Sequence, residues 1–375
     1  MQRESIAVRP NWRERCAEVG FHYHTIDGTY WDESVCYAFT ADEIDALEAA
    51  TQELHRICLE ACDAVVAQRR FAEFAIPPAF QELVAQSWRR ADPSVFGRFD
   101  LAWTATGPAK LLEYNADTPT ALLEASVVQW HWMQDVKDGC DQFNSIHEKL
   151  IERWKAIAPT LEDTTLYFTC VKDSAEDLGN IEYLRDTAIQ AGIPTEQIFI
   201  EDLGWSAAHA HFVDLANAPV EALFKLYPWE WLAHDEFGRY LPQEPAQLFE
   251  PAWKMLLSNK AILAVLWELY PNHANLLPAY RDAARLTGDY VRKPILSREG
   301  ANVALRRGAG AMVTPGTYGA EGFVYQAFTP LAVTAGQHAV IGSWIIGDAA
   351  AGIGIREDKG PITTNASRFV PHYFV

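Results

Sequence analysis

Positive charge is scarce in this chain. Lys and Arg number 31 against 50 Asp and Glu, giving a net charge of −19 and a pI near 5.0. A nucleic-acid partner is thereby excluded, because a phosphate backbone is bound by a basic face. The balance suits a cationic ligand such as a polyamine, although most of it is ordinary acidic surface. Cysteine is sparse too. Cys16, Cys36, Cys58, Cys62, Cys140 and Cys170 show neither CxxC spacing nor the density of a disulfide framework, which points to free thiols in a reducing cytosol. No apolar run reaches the ~20 residues of a membrane helix, and the opening MQRESIAVRPNWRERC lacks the apolar centre of a signal peptide. A cytoplasmic protein with no membrane partner is expected. Neither GxGxxG after a strand nor GxxxxGK[ST] occurs, so a dinucleotide fold of that kind and a P-loop are both excluded. Repeats, linkers and low-complexity stretches are absent as well.

What is present is apolar and aromatic. With 375 residues, 49% of them hydrophobic and 13 of them Trp, the chain can bury a large core. We expect an α/β fold of about three regions packed as one body. These are an aromatic-rich and helical region over residues 1–95, a hairpin and βαβ region over 96–250, and a nucleotide-binding region over 251–375.

In the first region, Thr40 with Glu43 forms a capping box, and Ile44, Leu47, Leu54, Ile57 and Cys58 recur at helical spacing. His22 and His24 lack a third matching ligand, so packing or hydrogen bonding is expected of them rather than metal binding. Residues 120–150 read as helical, with Trp130 and Trp132 in the core. A strand over 164–171, a helix over 175–191 stopped by Gly192, and a strand over 197–200 make a βαβ unit with parallel strands. Residues 223–231 read as a strand that breaks at Pro228. There Glu230, between Trp229 and Trp231, either meets a cationic amine or is a loop acid bonded within the fold.

Residues 97–118, GRFDLAWTATGPAKLLEYNADT, carry the chemistry. They read as a two-stranded hairpin, and residues two apart on a strand share a face, so Arg98 goes with Asp100 and Glu113 with Asn115. A four-residue loop over 105–108 sets Asp100 opposite Glu113 and Arg98 opposite Asn115. A slip of one residue sends one pair to the other face. In the favoured register, two carboxylates and an amide oxygen offer Mg²⁺ hard ligands, with phosphate oxygens completing its shell. Arg98 beside them matches a phosphate, because its fork binds two oxygens. The competing reading is a solvated face of cross-strand charge pairs, which does not account for Asn115 between Glu113 and Asp117.

A second group of cations lies downstream. Lys260 opens a helix behind Asn259 as N-cap, an arrangement unfavourable by up to ~1 kcal/mol unless an anion sits nearby. Lys293 ends a strand before Pro294 and the loop SREGAN, where an ammonium and the N–H groups around Gly300 can cover phosphates. The strand GFVYQAFTPL, with Gln326, leads into a candidate adenine pocket. Arg356, in IGSWIIGDAAAGIGIRED, is placed to stabilise charge on a transferring phosphoryl group. Asn365 and Ser367 are weaker candidates.

These stretches together resemble the synthetase part of the glutathionylspermidine synthase family. The resemblance is carried by YHTIDGTYWDES, GRFDLAW with EYNADT, YPWEW, EPAWKMLLSNKAILAVLWELYP, VRKPILSREGANV, VYQAF and GIGIRED, in one order over nearly the whole chain. It implies an ATP-grasp fold and an ATP-dependent carboxylate–amine ligase working through an acyl phosphate. It also implies Mg²⁺ on Asp100, Glu113 and Asn115, phosphate contacts from Arg98 and Arg356, and ATP-binding lysines at Lys260 and Lys293. The sequence begins at the synthetase part, so no amidase activity is expected. Ser297 stands where the family pattern has a Gly before the arginine, which leaves glutathione and spermidine open as substrates. Two other readings are an ATP-binding regulatory protein without ligase chemistry and a metal-dependent hydrolase that needs no ATP.

Overall fold

The computed structural model describes residues 1–26, 28–364 and 367–375. Its centre is an antiparallel sheet in the order Arg368–Val370, Ala349–Asp358, Gln337–Ile346, Phe96–Ala102 and Lys110–Asn115, with Ala332–Thr334 paired to Gln337–Ile346. The hairpin read from residues 97–118 therefore lies at the sheet edge, against the long C-terminal hairpin that carries Arg356. Two of the expected regions contribute to this one sheet. Likewise, Val35–Phe39 pairs in parallel with His372–Phe374, tying the N-terminal region to the C-terminus.

The helix Ala41–Ala67 covers the central sheet. Its capping box is formed, with Glu43 N donating to Thr40 Oγ1 and Thr40 N to the Glu43 carboxylate. Ile44, Leu47, Leu54, Ile57, Cys58 and Cys62 are all buried on the face turned to the sheet, each apolar side chain contributing about 1.5–3 kcal/mol relative to exposure. Thr51 Oγ1 reaches Ser343 Oγ across the contact at 2.6 Å.

Beside this body stands a four-stranded parallel sheet in the order Gln247–Phe249, Ala222–Lys225, Leu166–Cys170 and Thr195–Phe199. It contains the expected βαβ unit, with the helix Ala175–Gln190 as crossover and Gly192 at a φ of 88° after it. A five-stranded antiparallel sheet holds Tyr290–Pro294, between Phe323–Ala327 and Ala304–Arg307.

Several local expectations are corrected. Residues 120–150 are not one helix: a π-helical turn Glu124–Val128 runs into Gln129–Val136, the chain then turns at Gly139, whose φ is 76°, and a new helix Ile146–Ile157 begins. Trp132 is buried there while Trp130 is exposed, because they point to opposite sides of a short helix. The strand expected to break at Pro228 does so, ending at Lys225, and Pro228 opens a helical turn, Trp229–Leu232. The helix expected at Lys260 starts later, at Ile262; Lys260 lies in the turn after Lys254–Leu257, and Asn259 Oδ1 accepts from Ala261 N at 2.9 Å. All six cysteines are free. Among the described residues no helix is long and apolar enough to cross a membrane.

Candidate active site

The hairpin register is the expected one at its functional end: Asp100 pairs with Glu113, Phe99 with Tyr114 and Arg98 with Asn115. The route to it differs. The strands stop at Ala102 and Lys110, leaving a longer loop than four residues, and near that loop the register is one residue off, with Leu101 opposite Leu111. A bulge at Leu112 absorbs the extra residue and returns both acids to one face. Asn115 Nδ2 lies 3.4 Å from Glu113 Oε1, so the amide and the carboxylates converge.

Each acid is held by cations from elsewhere. Asp100 accepts from Arg98 Nε at 2.8 Å through one oxygen and from Arg356 Nη2 at 2.8 Å through the other. Arg98 also donates to Thr120 O at 2.6 Å. It can lie flat on the sheet because its neighbour is Gly342, where a Cβ would stand 2.8 Å from Arg98 Cδ. Glu113 faces Lys260 Nζ at 3.1 Å. Burial alone would raise its carboxyl, but Lys260 and Lys293 more than reverse this and hold it at about 2. Lys260 Nζ is further bound to Ser297 O at 2.6 Å, and Lys293 Nζ to Leu112 O at 2.7 Å and Gln326 Oε1 at 2.8 Å. Burial pushes the Lys293 ammonium down to about 8 despite the opposing Glu113.

Two cavities meet at this cluster. One of about 90 Å³ is lined by Asp100, Glu113, Lys260, Lys293 and Gln326 and closed by apolar Leu305, Leu331 and Val340. The other, about 260 Å³, is lined by Arg98, Glu113, Asn115 and Arg356 on one side and by Glu176 and Asp177 on another. Glu113 and Gly300 border both. Gly300 has a φ of 68°, and a Cβ there would stand 2.5 Å from Thr363 O, so only glycine brings the loop this close.

A sequence profile described as glutathionylspermidine synthase preATP-grasp matches residues 3–375. The chain belongs to this family. It is 42% identical to a Haemophilus influenzae protein named "Putative acid--amine ligase", over 98% of both chains. It is 28% identical to trypanothione synthetase of Crithidia fasciculata and 27% identical to the bifunctional glutathionylspermidine synthetase/amidase of Escherichia coli. The alignments cover 95% and 89% of this chain but only 57% and 58% of those relatives. Among solved structures, a glutathione synthetase-like effector of Globodera pallida, in its apo form, superposes with a TM-score of 0.59 at 10% identity, covering 99% of this chain and all of the other. The fold is of the ATP-grasp type, and by family the protein is an ATP-dependent C–N ligase.

For this family member, the structure brings together Arg98, Asp100, Glu113, Asn115, Lys260, Lys293, Gly300, Gln326 and Arg356. Glu230 is the exception. Its carboxylate is taken by Arg298, with Nε at 3.0 Å and Nη2 at 2.6 Å, so the cation expected from a substrate amine is supplied by the chain itself. Ser297 is buried and its hydroxyl donates to Pro294 O at 3.1 Å, so the departure from the glycine pattern leaves no polar group unpaired. Ser367 donates to Asp358 Oδ2 at 2.6 Å, and Asn365 lies outside the described residues. Sequence reasoning missed Arg298, Glu176 and Asp177. Arg298 was legible in SREGAN as a cation on the glycine loop. Glu176 and Asp177 look like the ordinary acidic first turn of a helix capped by Ser174, and only the tertiary structure turns them toward Arg98 and Arg356.

Proposed function

We propose that the protein is an ATP- and Mg²⁺-dependent ligase that joins a carboxylate to a cationic amine through an acyl phosphate. The observation that carries this is the shared position of Glu113 between a cation-lined cleft and a cavity with arginines on one side and carboxylates on another. Asp100, Glu113 and Asn115 fit a hard divalent cation: two carboxylates in register, with an amide beside them whose oxygen would join once the Asn115 side chain turns its nitrogen away from Glu113. When bound, Mg²⁺ would supply neutralisation of phosphate charge.

The chain's own residues account for the rest. Asp100 and Glu113 would hold the cation, which would leave Arg98, Arg356 and Lys260 available to the anionic oxygens of nucleotide and substrate. Lys260 and Lys293 hold the nucleotide phosphates, and Arg98 and Arg356 orient the substrate carboxylate as its oxygen attacks the γ-phosphorus and ADP leaves. The amine nitrogen then attacks the acyl carbon, phosphate departs and the amide forms. Glu176 and Asp177 face that step. Burial raises both carboxyls, and Asp177 stands at about 6 with Glu176 beside it. Acids held in this way gain most from a cationic ligand, and they are the groups on that wall able to take the proton the ammonium must lose.

ADP release measured across a matrix of peptides, glutathione included, and amines, polyamines included, tests the reading. Release that requires both a carboxylate and an amine is expected. ATP binding without ADP release for any pair would favour the regulatory alternative instead.

A further inference from the structure

Gln326 stood among the nucleotide-contacting candidates, yet its side chain is committed inside the protein. It is 2% exposed, its Oε1 accepts from Lys293 Nζ at 2.8 Å, and its Nε2 donates to Leu111 O at 2.9 Å. Leu111 and Leu112 belong to the edge strand of the hairpin sheet, whereas Lys293 and Gln326 lie diagonally across adjacent strands of the nucleotide sheet. The Leu112 carbonyl, at the bulge, takes a second N–H of Lys293 at 2.7 Å. An edge strand needs partners for its outward backbone groups. Here two of those carbonyls are satisfied by the lysine that lines the phosphate cleft and by the glutamine that holds it. Asn275 completes the seam, its carbonyl accepting from Leu111 N at 2.8 Å and its Nδ2 donating to Ala109 O at 2.9 Å.

We infer that Gln326 is a positioning residue: by bridging the Leu111 carbonyl and the Lys293 ammonium, it sets the spacing between the Asp100–Glu113 pair and the phosphate-binding lysine. The inference rests on the reading of this cleft as the nucleotide site. Gln326 thus acts through Lys293 and does not read the base.

The test is calorimetric binding of the non-hydrolysable analogue AMP-PNP with Mg²⁺, and of the corresponding guanine analogue. It is applied to the wild type, Gln326→Leu, which removes both bonds at similar size, and Gln326→Glu, which keeps an acceptor for the lysine. Loss of a hydrogen bond to a charged group predicts binding weakened about tenfold or more in Gln326→Leu. The Mg²⁺ concentration for half-saturation should rise, adenine and guanine analogues should lose affinity by the same factor, and Gln326→Glu, which keeps the lysine's acceptor but has no N–H for the Leu111 carbonyl, should fall between Gln326→Leu and the wild type. Wild-type affinity in a folded Gln326→Leu protein would overturn the inference, as would a loss confined to the adenine analogue. If Gln326→Leu does not fold, Gln326→Asn, one methylene too short to span both partners, must show the same non-selective loss, and unchanged binding overturns the proposal. No binding by the wild type overturns the nucleotide site itself and this inference with it.

Discussion

Two kinds of buried ion pair lie within a few residues of each other, and they are built differently. Asp117 and Lys225 have fully buried side chains, and both Asp117 oxygens are used, one by Lys225 Nζ at 2.5 Å and one by Trp229 N at 2.9 Å. Glu250 and Lys254 are closed in the same way: Glu250 accepts from Val95 N and Phe96 N, and Lys254 donates to Phe96 O, pinning the first residues of the hairpin strand. The pairs at the site stay partly open. Glu113 is 26% exposed opposite Lys260, and Arg356 is 22% exposed opposite Asp100. Closed pairs hold shape, because removing one partner strands a charge in a dry interior. Open pairs leave cations and carboxylates exchangeable, as the proposed binding of phosphate and metal would require.

The sharpest way to break this comparison is at the open pairs. Asp100→Asn and Glu113→Gln should reduce Mg²⁺-dependent ATP turnover by about a thousandfold or more in protein that remains folded. Turnover surviving in both would remove the metal site. At the closed pair the outcome should invert. Lys225→Met leaves Asp117 buried and unpaired and should lower unfolding free energy by about 3–5 kcal/mol, read from urea or guanidinium denaturation. A variant as stable as wild type would show that this pair does not hold the Trp229 turn.

Gly342→Ala tests the boundary between the two kinds. Its Cβ would stand 2.8 Å from Arg98 Cδ, so Arg98 must shift while the strand remains. A loss of about ten- to a hundredfold in kcat/KM with little change in stability is expected; an equal loss of both would make Arg98 a structural residue. The smallest effect is in pH. The Lys293 ammonium, lowered by burial to about 8, loses its charge as pH rises through that value. In the apo protein the neutral form is favoured, so this group opposes folding below pH 8 and ceases to do so between 8 and its ordinary value. The effect on ATP is opposite in sign: KM for ATP should rise above pH 8, by up to about tenfold per unit, and the rise should vanish in Lys293→Met. A flat KM from pH 7 to 9 in the wild type would contradict it.

Legibility followed the range of the interactions. Thr40 with Glu43, Gly192 after its helix and the βαβ order could all be read because each depends on neighbours in the chain. The break after Val136 carries a local signal of the same kind, Gly139, whereas the late start of the helix at Ile262 has none. Glu230 shows the same limit within the site. Spacing left it open between a substrate cation and a loop acid bonded within the fold, and Arg298, far along the chain, decides for the second.

The sequence by itself determined which side chains the hairpin offers: a strand alternates faces, so Arg98 with Asp100 and Glu113 with Asn115 followed from spacing alone. Only the tertiary structure decided that those pairs face each other. The loop alone leaves the register one residue off, and the bulge at Leu112 corrects it where Lys293, Gln326 and Asn275 hold the outer edge of the strand. The physical reason is that an edge strand takes its register from whatever satisfies its outward backbone groups, and those partners lie some 160 to 215 residues away in sequence.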